Sequence, residues 1–598
     1  MQQTCPLQRH VARGKDLGVV PEIRTLVRSQ TFMVGHTFTS SATAVAFAGV
    51  SMLALVAPFE LTQPLIRLPR QSVSNLEAAL LLALGSWSVA LVWTHSAPRW
   101  QTPLSVPWMA LITVLFSASI VAPAARVNAL HMTGRCAAAF ACFLLTVNGV
   151  TTRTRMRVVV TLMIVATVVV SVLACLEYAG TAWVLDVLKL FRPGITVVGA
   201  QLRAGGPLQY PTIASMYLEV AFALSLGLLL TTLDAARPGR LVMLCVAVVL
   251  VAEAITLTFT RAGVITMATS VILVAAVRHR LRGYDAGTAL ILTIGVIVSA
   301  LFLSSRSAES MWLRLTSEGQ ESWYRANISS PDDLVFSTGR TETVPLTLTN
   351  TGRLMWDSHG ETPLMLSYHW LPVGANYFIT FEGERTEFPA PVAPGATLTL
   401  FAKVRAPRQP GRYRLEWDIV QEGRLWFSTE PGATRLFSPV TVTGAAVGGS
   451  DDAPMPPPRP TVRPGRLVLW KAAARMVSAH PLLGVGPDNF RLSYGDYAGI
   501  KAADPRLHSN NMYLEVLAGS GLLGGAAFLW FFWRAAVVLV RIAAFEAGIA
   551  AAGLAIAIHG VVDSFLSFAP TYLLFALTLG LAVASATISQ GERDAHRV

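Results

Sequence analysis

Residues 157–178 read RVVVTLMIVATVVVSVLACLEY. Positions 158–176 carry no charge. At 1.5 Å rise per residue a helix of that length covers about 30 Å, the hydrocarbon thickness of a bilayer. The run therefore reads as a membrane span. Working outward, eleven other runs of similar quality sit near 38–58, 76–94, 106–124, 134–150, 210–232, 240–260, 262–278, 287–304, 511–533, 543–562 and 566–588. Lys and Arg in the short loops give an orientation. With the N-terminus in the cytoplasm, alternate loops carry Arg153-Arg155-Arg157, Arg237/Arg240, Arg278-Arg280-Arg282 and Arg534/Arg541, and the opposite loops are poorer in charge. Both termini then lie inside and the long polar stretch outside. Arg203 and Arg261 fall on the outer side against this trend.

Composition agrees. Of 598 residues, 53% are hydrophobic and 14% charged, which excludes a disordered chain and an ordinary soluble enzyme. The net charge of +12 is scattered in short clusters between apolar runs, so no nucleic-acid partner is expected. None of the five cysteines lies between 305 and 509, and no Cys/His spacing suggests zinc. The first apolar run is too long for a signal-peptide core and reads as a retained span.

Between 330 and 445 the pattern changes to short alternating runs such as VPLTLTN, LMLSYHW, ATLTLFAKV and GRYRLEWDIV, broken by Gly and Pro turns. This predicts an antiparallel β-sandwich. With Trp356, Trp370, Trp417 and Trp426 it resembles immunoglobulin-like domains of the four-tryptophan type. Those tryptophans read as core packing or as a glycan-stacking platform. The expected fold is an all-α polytopic membrane protein of about twelve helices, with an extracytoplasmic β-sandwich between helices nine and ten. The expected order is a cytoplasmic tail (1–37), membrane helices (38–304), a connector (305–329), the β-sandwich (330–445), a Gly/Pro-rich linker (446–465), an outer catalytic loop with a helix (466–510), membrane helices (511–588) and a cytoplasmic tail (589–598).

The stretch after the linker contains Arg466-x-x-x-Trp470, then HPLLGVGPDNF (480–490), then HSNNMYLE (508–515) and a Gly-rich helix start. With QLRAGG (201–206) and FTRAG (259–263) upstream, these segments together resemble the O-antigen ligase and polymerase superfamily. Tyr210-Pro211 stands where the family's element has Asn-Pro. The resemblance implies glycosyl transfer outside a bacterial cytoplasmic (inner) membrane. It implies a glycan donor on undecaprenyl pyrophosphate, a glycan, lipid or protein acceptor, contact with membrane lipids, and no metal or other cofactor.

The residues support such chemistry on their own terms. A pyrophosphate leaving group develops negative charge, which guanidinium groups stabilise. Arg261, Arg466 and Arg203 are the candidates; snorkelling to headgroups, a solvated helix start and a stray loop arginine are the plainer readings. An acceptor hydroxyl needs a base, and His508 is the candidate. Glu515 either orients His508 or bonds a neighbouring helix. His480 and Asn510 are candidate substrate contacts, although His480 also reads as the end of a structural turn. His559 and Asp563 fit either the same cavity or a polar helix–helix contact, and His131 and Arg135 are placed outside, near the fourth span. A repeat-unit polymerase is the alternative within the family; a transporter or a sensor is the alternative of another class.

Overall fold

The computed structural model describes residues 41–68, 71–192, 194, 196–198, 201–304, 323–359, 363–375, 377–422, 425–429, 434–447, 464–500 and 503–595. The tail 1–37, residues 305–322 of the connector, residues 448–463 of the linker and the last three residues lie outside the described residues.

Helices α1 (Ser41–Val56), α2 (Asn75–Trp93), α3 (Ser105–Val121), α4 (Arg126–Gly149), α5 (Arg153–Tyr178), a short α6 (Ala182–Leu188), α7 (Pro211–Asp234), α8 (Pro238–Leu257), α9 (Arg261–Arg282) and α10 (Ala286–Ser304) precede the β region. After it come α11 (Arg466–Ala479), α12 (Phe490–Ala498), α13 (Met512–Ile542), α14 (Ala547–His559) and α15 (Ala569–Ala595). Among the described residues, nine of these helices are long and apolar enough to cross a membrane, and α1, α3 and α14 are shorter apolar helices. They fall on the apolar runs, and the chain is a multi-pass membrane protein.

Polar residues end the helices. Thr152 caps α5 by accepting from Arg155 N, and Ser74 and Glu77 form a capping box on α2. One boundary differs from expectation. Helix α4 begins at Arg126 rather than near 134, so His131 belongs to the helix and not to a loop before it, and Arg135 lies well inside the helix rather than at its start. Hydropathy registers only the apolar part of a helix; its polar first turns, RVNALHMTGR, are invisible to that measure.

Helices α7 and α15 are central, with 89% and 83% of their spanning windows buried. Gly227 of α7 meets Gly548 of α14 so closely that a Cβ on Gly227 would lie 2.9 Å from Gly548 Cα. Close backbone approach of this kind substitutes for a hydrophobic drive between helices in lipid. Two of the loop arginine clusters contain ion-paired members. Arg153 reaches Glu546 at 3.1 Å and Glu592 at 2.8 Å, and Arg278 reaches Asp234 at 2.8 Å.

Before the β region, β1 (Ile66–Leu68) pairs with β2 (Gln71–Val73); the β region itself holds two sheets. One has the order β10 (Thr397–Arg405), β7 (Thr341–Asn350), β5 (Ala326–Ser329). The other runs β6 (Leu334–Ser337), β13 (Leu436–Thr443), β11 (Gly411–Gln421), β8 (Leu364–Pro372), β9 (Thr386–Glu387), with β12 (Leu425–Trp426) on β11. All these pairs are antiparallel except β13 with β6. Inward residues of both sheets, among them Leu346, Val404, Tyr368 and Leu415, share one apolar cluster. All four tryptophans are buried, and the indoles of Trp370 and Trp417 donate to Arg405 O and Ser438 Oγ. They pack the core, and none presents an open ring face on which a sugar could stack.

Candidate active site

The polar residues singled out from the sequence gather at the ends of helices that face the long polar segment. His508 lies in the loop before α13, with its side chain 13% exposed. Its Nδ1 is 3.1 Å from Glu515 Oε1 and 3.9 Å from Asp488 Oδ1. Glu515 sits in the first turn of α13, where Asn511 caps the helix by accepting from Leu514 N. The second Glu515 oxygen accepts from Ser509 N at 2.8 Å, which ties the loop to the carboxylate that orients the ring. Nε2 is the ring nitrogen left without a protein hydrogen bond among the described residues. Burial lowers the His508 pKa, but the charge and hydrogen bond of Glu515, with Asp488, outweigh it and hold the imidazole above its ordinary value.

Asp488 was not singled out from the sequence, although it sits inside the HPLLGVGPDNF run. It has φ 63°, an uncommon conformation outside glycine. Its carboxylate accepts from Arg491 Nε at 3.0 Å, Asn128 Nδ2 at 3.1 Å and Ser567 Oγ at 2.9 Å. Asp488, His508 and Glu515 each offer a ligand atom, all within 4.8 Å of one another, and could in principle hold a divalent cation. Asp488 already accepts from three protein donors, and Glu515 from Ser509 N with His508 Nδ1 at its other oxygen.

The turn that presents Asp488 is locked by a break in α13. At Gly521 the helix takes φ 63°, ψ −164°. The opened backbone bonds the HPLLGVG run: Val485 N donates to Ala518 O at 3.0 Å, Gly486 N to Gly519 O at 2.8 Å and Leu522 N to Pro481 O at 2.7 Å. A Cβ on Gly484 would collide with Ala518 O, and one on Gly521 with Leu482. The glycines of the two motifs therefore fit each other. His480 caps the end of α11, its carbonyl accepting from Gly484 N. Asn510 takes φ 51°, a backbone turn that brings the chain into α13. No described hydrogen bond joins His480 or Asn510 to His508.

The arginines form a second group. Arg203 ends β4 (Gln201–Arg203), which pairs with β3 (Thr196–Val198). Its Nε donates to Thr258 O at 3.0 Å and its Nη2 to Thr260 Oγ1 at 3.2 Å. Arg261 follows Thr260 as the first residue of α9, and Phe259 beside it is held at φ 59°. The turn after Arg203 is fixed by buried Glu177, which accepts from Gly205 N at 3.0 Å and Gly206 N at 2.8 Å and pairs with buried Arg192. Arg466 opens α11. Its surface stays accessible, yet surrounding protein thins the water about it; that burial, then the charge of Arg261, lowers its pKa, and Asp563 opposes the shift. Arg466 thus lies within electrostatic reach of Arg261, and Arg203 bonds the residue before Arg261, although more than 200 residues separate Arg466 from the others.

Two links join the groups. Trp470, one turn after Arg466, donates to Ser509 O beside His508 at 3.1 Å. The loop between α14 and α15 holds both: Asn511 Nδ2 donates to Val561 O, Ser567 to Asp488, and Asp563 lies beside Arg466. His559 places Nδ1 3.0 Å from both Glu219 oxygens, a polar contact between α14 and α7, and Nε2 3.9 Å from Asp563 Oδ2. A basic nitrogen with two carboxylates therefore meets the same loop as Arg466, which Arg261 neighbours electrostatically, an arrangement able to take a proton from a nucleophile while an anionic leaving group is stabilised.

No curated protein matches the chain. Residues 448–529, which carry Arg466, Asp488, His508 and Glu515, match the family model described as O-Antigen ligase, and this match supports the chain's membership of the O-antigen ligase superfamily.

Proposed function

We propose that the protein is a membrane glycosyltransferase that moves a glycan from an undecaprenyl-pyrophosphate carrier to an acceptor hydroxyl outside a bacterial inner membrane. The observation that carries this reading is that His508, with Glu515 and Asp488, and Arg466 meet one loop, while Arg261 lies within electrostatic reach of Arg466 and Arg203 bonds Thr260 beside Arg261. His508 Nε2 takes the acceptor proton. The acceptor oxygen bonds the anomeric carbon as the glycosidic C–O bond breaks, and that electron pair leaves on the pyrophosphate. Arg261, Arg466 and Arg203 stabilise the developing charge, and Glu515 stabilises the imidazolium. Attack opposite the leaving group inverts the anomeric centre. In this reading both termini are cytoplasmic, and the two sheets form an immunoglobulin-like β-sandwich on the outer side, where glycans are handled.

The test is deletion of the gene in its host, with carrier-linked glycans extracted and sized. Long carrier-linked chains together with loss of surface polymer are expected. Accumulated single repeat units would point to a polymerase instead, and unchanged carrier-linked glycans would overturn the transferase reading. Complementation with His508→Ala is expected to fail, with transfer lowered by about 10²–10⁴-fold; normal transfer would remove His508 from the mechanism.

A further inference from the structure

Alternation along β7 and β10 turns every second side chain of the three-stranded sheet away from the domain core. The register sets these outward residues in rows. Thr349 lies beside Thr397 and Thr347 beside Thr399, and Phe401, Lys403 and Arg405 follow in successive rows of β10. Strand rise makes the strip about 27 Å long, and the three strands make it about 10 Å wide. Those are the proportions of a track for a chain, not of a pocket for one small molecule.

Threonine suits the solvent face of a strand, and single exposed apolar side chains are ordinary, so neither makes a site by itself. Their combination with uncompensated charge does. Phe401 is 66% exposed, and Pro345 opposite it carries no long side chain to cover the ring. The hydroxyls of Thr349 and Thr397 lie 2.9 Å apart and those of Thr347 and Thr399 3.4 Å apart. In each pair one hydroxyl donates to the other, which leaves the second O–H to donate outward. Lys403 and Arg405 are in no ion pair within 4.0 Å, and their side chains make no hydrogen bond, among the described residues. The outward residues of β5, β7 and β10 include no acid. Glu342, the acid of β7, alternates to the other face and accepts from Ser337 N, and Glu384 meets the strip at its end row, accepting from Thr341 at 3.3 Å.

We propose that this strip binds the sugar chain being transferred, and that the chain is acidic. The inference rests on the transferase reading and names a property of its donor. The C–H face of one sugar ring lies on Phe401, hydroxyls of the chain meet the threonine rows, and its anionic groups meet Lys403 and Arg405 through charge-assisted hydrogen bonds. A bilayer suits the strip less well, because one ring among hydroxyls offers little apolar surface to bury in lipid. A donor held both at its carrier and along its length leaves more slowly than one held at its carrier alone, so long chains are favoured over short ones.

The test uses the full-length protein in nanodiscs of zwitterionic lipid. Surface polysaccharide from the host is split on an anion exchanger into acidic and neutral fractions, and each is labelled and titrated by fluorescence anisotropy. The acidic fraction should bind, less tightly as salt rises, and the neutral fraction about tenfold more weakly. Phe401→Thr, which keeps a strand-forming residue, and Arg405→Gln should each weaken binding about tenfold, whereas Arg412→Gln, an equal loss of charge on the other sheet, should not. The first two variants should also raise KM for long carrier-linked chains severalfold and leave transfer of a single repeat unit unchanged. Equal binding of the neutral fraction, or binding that survives both variants, overturns the proposal. Phe401-dependent capture of phosphatidylglycerol vesicles in place of polysaccharide would make the strip a membrane contact and overturn the glycan assignment. An unchanged KM for long chains overturns the identification of the bound chain with the donor. Absent binding with transfer intact leaves the His508 reading standing alone. Binding by a protein that transfers no glycan would remove the transferase reading, and the donor role with it.

Discussion

Glu515→Gln isolates what the carboxylate does for His508. The change preserves the side chain's shape and leaves one acceptor oxygen for the two bonds now made, at 3.1 Å to the imidazole and 2.8 Å from Ser509 N. A hydrogen bond to a charged group contributes about 1.5–3 kcal/mol and a neutral one about 0.5–1.5 kcal/mol. Loss of the charge therefore removes roughly 1–1.5 kcal/mol from the imidazolium, about a tenfold change in its stability. Glu515 is buried, so solvent screening discounts this little. The carboxylates hold His508 above its ordinary value; without one of them the pKa falls. The assay is kcat/KM for glycan transfer against pH, whose acid limb reports the base in the free enzyme. The limb should move to lower pH, and the plateau should drop about tenfold because a weaker base faces the acceptor. Thermal stability gives an independent readout. A raised histidine pKa stabilises the fold fully below the ordinary value of 6.5 and ceases to do so as pH rises through the raised one. The wild type should therefore outlast the variant by most at low pH, the gap narrowing upward. An acid limb that stays in place, or moves to higher pH, would refute the assignment of Glu515 as the partner that sets His508.

Arg261→Gln should lower kcat by about 10²–10³-fold, as loss of one donor to a developing anion does, with the carrier-lipid KM changed much less; steady-state kinetics on a purified donor separates the two. Glu177→Gln strands Arg192 as a buried charge and should cost about 3–5 kcal/mol, read as a fall in Tm in nanodiscs. Gly484→Ala forces φ 66° on a residue with a Cβ that meets Ala518 O, so about 1–2 kcal/mol of backbone strain adds to a collision; expression and transfer should both fall, while Gly499→Ala, at φ 74° in open space, should leave transfer intact.

The membrane helices were legible because a span must satisfy its own backbone and needs only local composition to announce itself. Strands β7 and β10 were legible for a similar reason: alternation marks them, as in Leu346, Leu348 and Asn350 facing inward along β7, whereas β8 and β11 are buried along most of their length. What was not legible depends on meetings between distant segments. Asp488 is one residue of a turn until Asn128 and Ser567 close on it from two other helix ends. Arg135 stood at the start of the fourth apolar run; the polar turns of α4 before it, and the meeting of four helices around it, have no local signature. His480 and Asn510 stand in the right motif, yet their described contribution is to the backbone path, which a spacing rule cannot distinguish from a side-chain role.

The matched segment holds His508, Asp488, Glu515 and Arg466; Arg203 and Arg261 lie outside it. The local physics accounts for that division. Within 448–529 the residues are bound by backbone-to-backbone contact between the HPLLGVG run and the opened helix, where each glycine leaves room for a carbonyl of the other. Such a lock constrains sequence tightly over a short distance and therefore reads as a motif. The other arginines are placed by side chains, Thr258 and Thr260 beneath Arg203 and Glu177 under the following turn, and such scaffolds admit many sequences. If the reaction needs both a base and a charge cluster, the chemistry is split between a segment that sequence comparison detects and one that only the folded chain reveals.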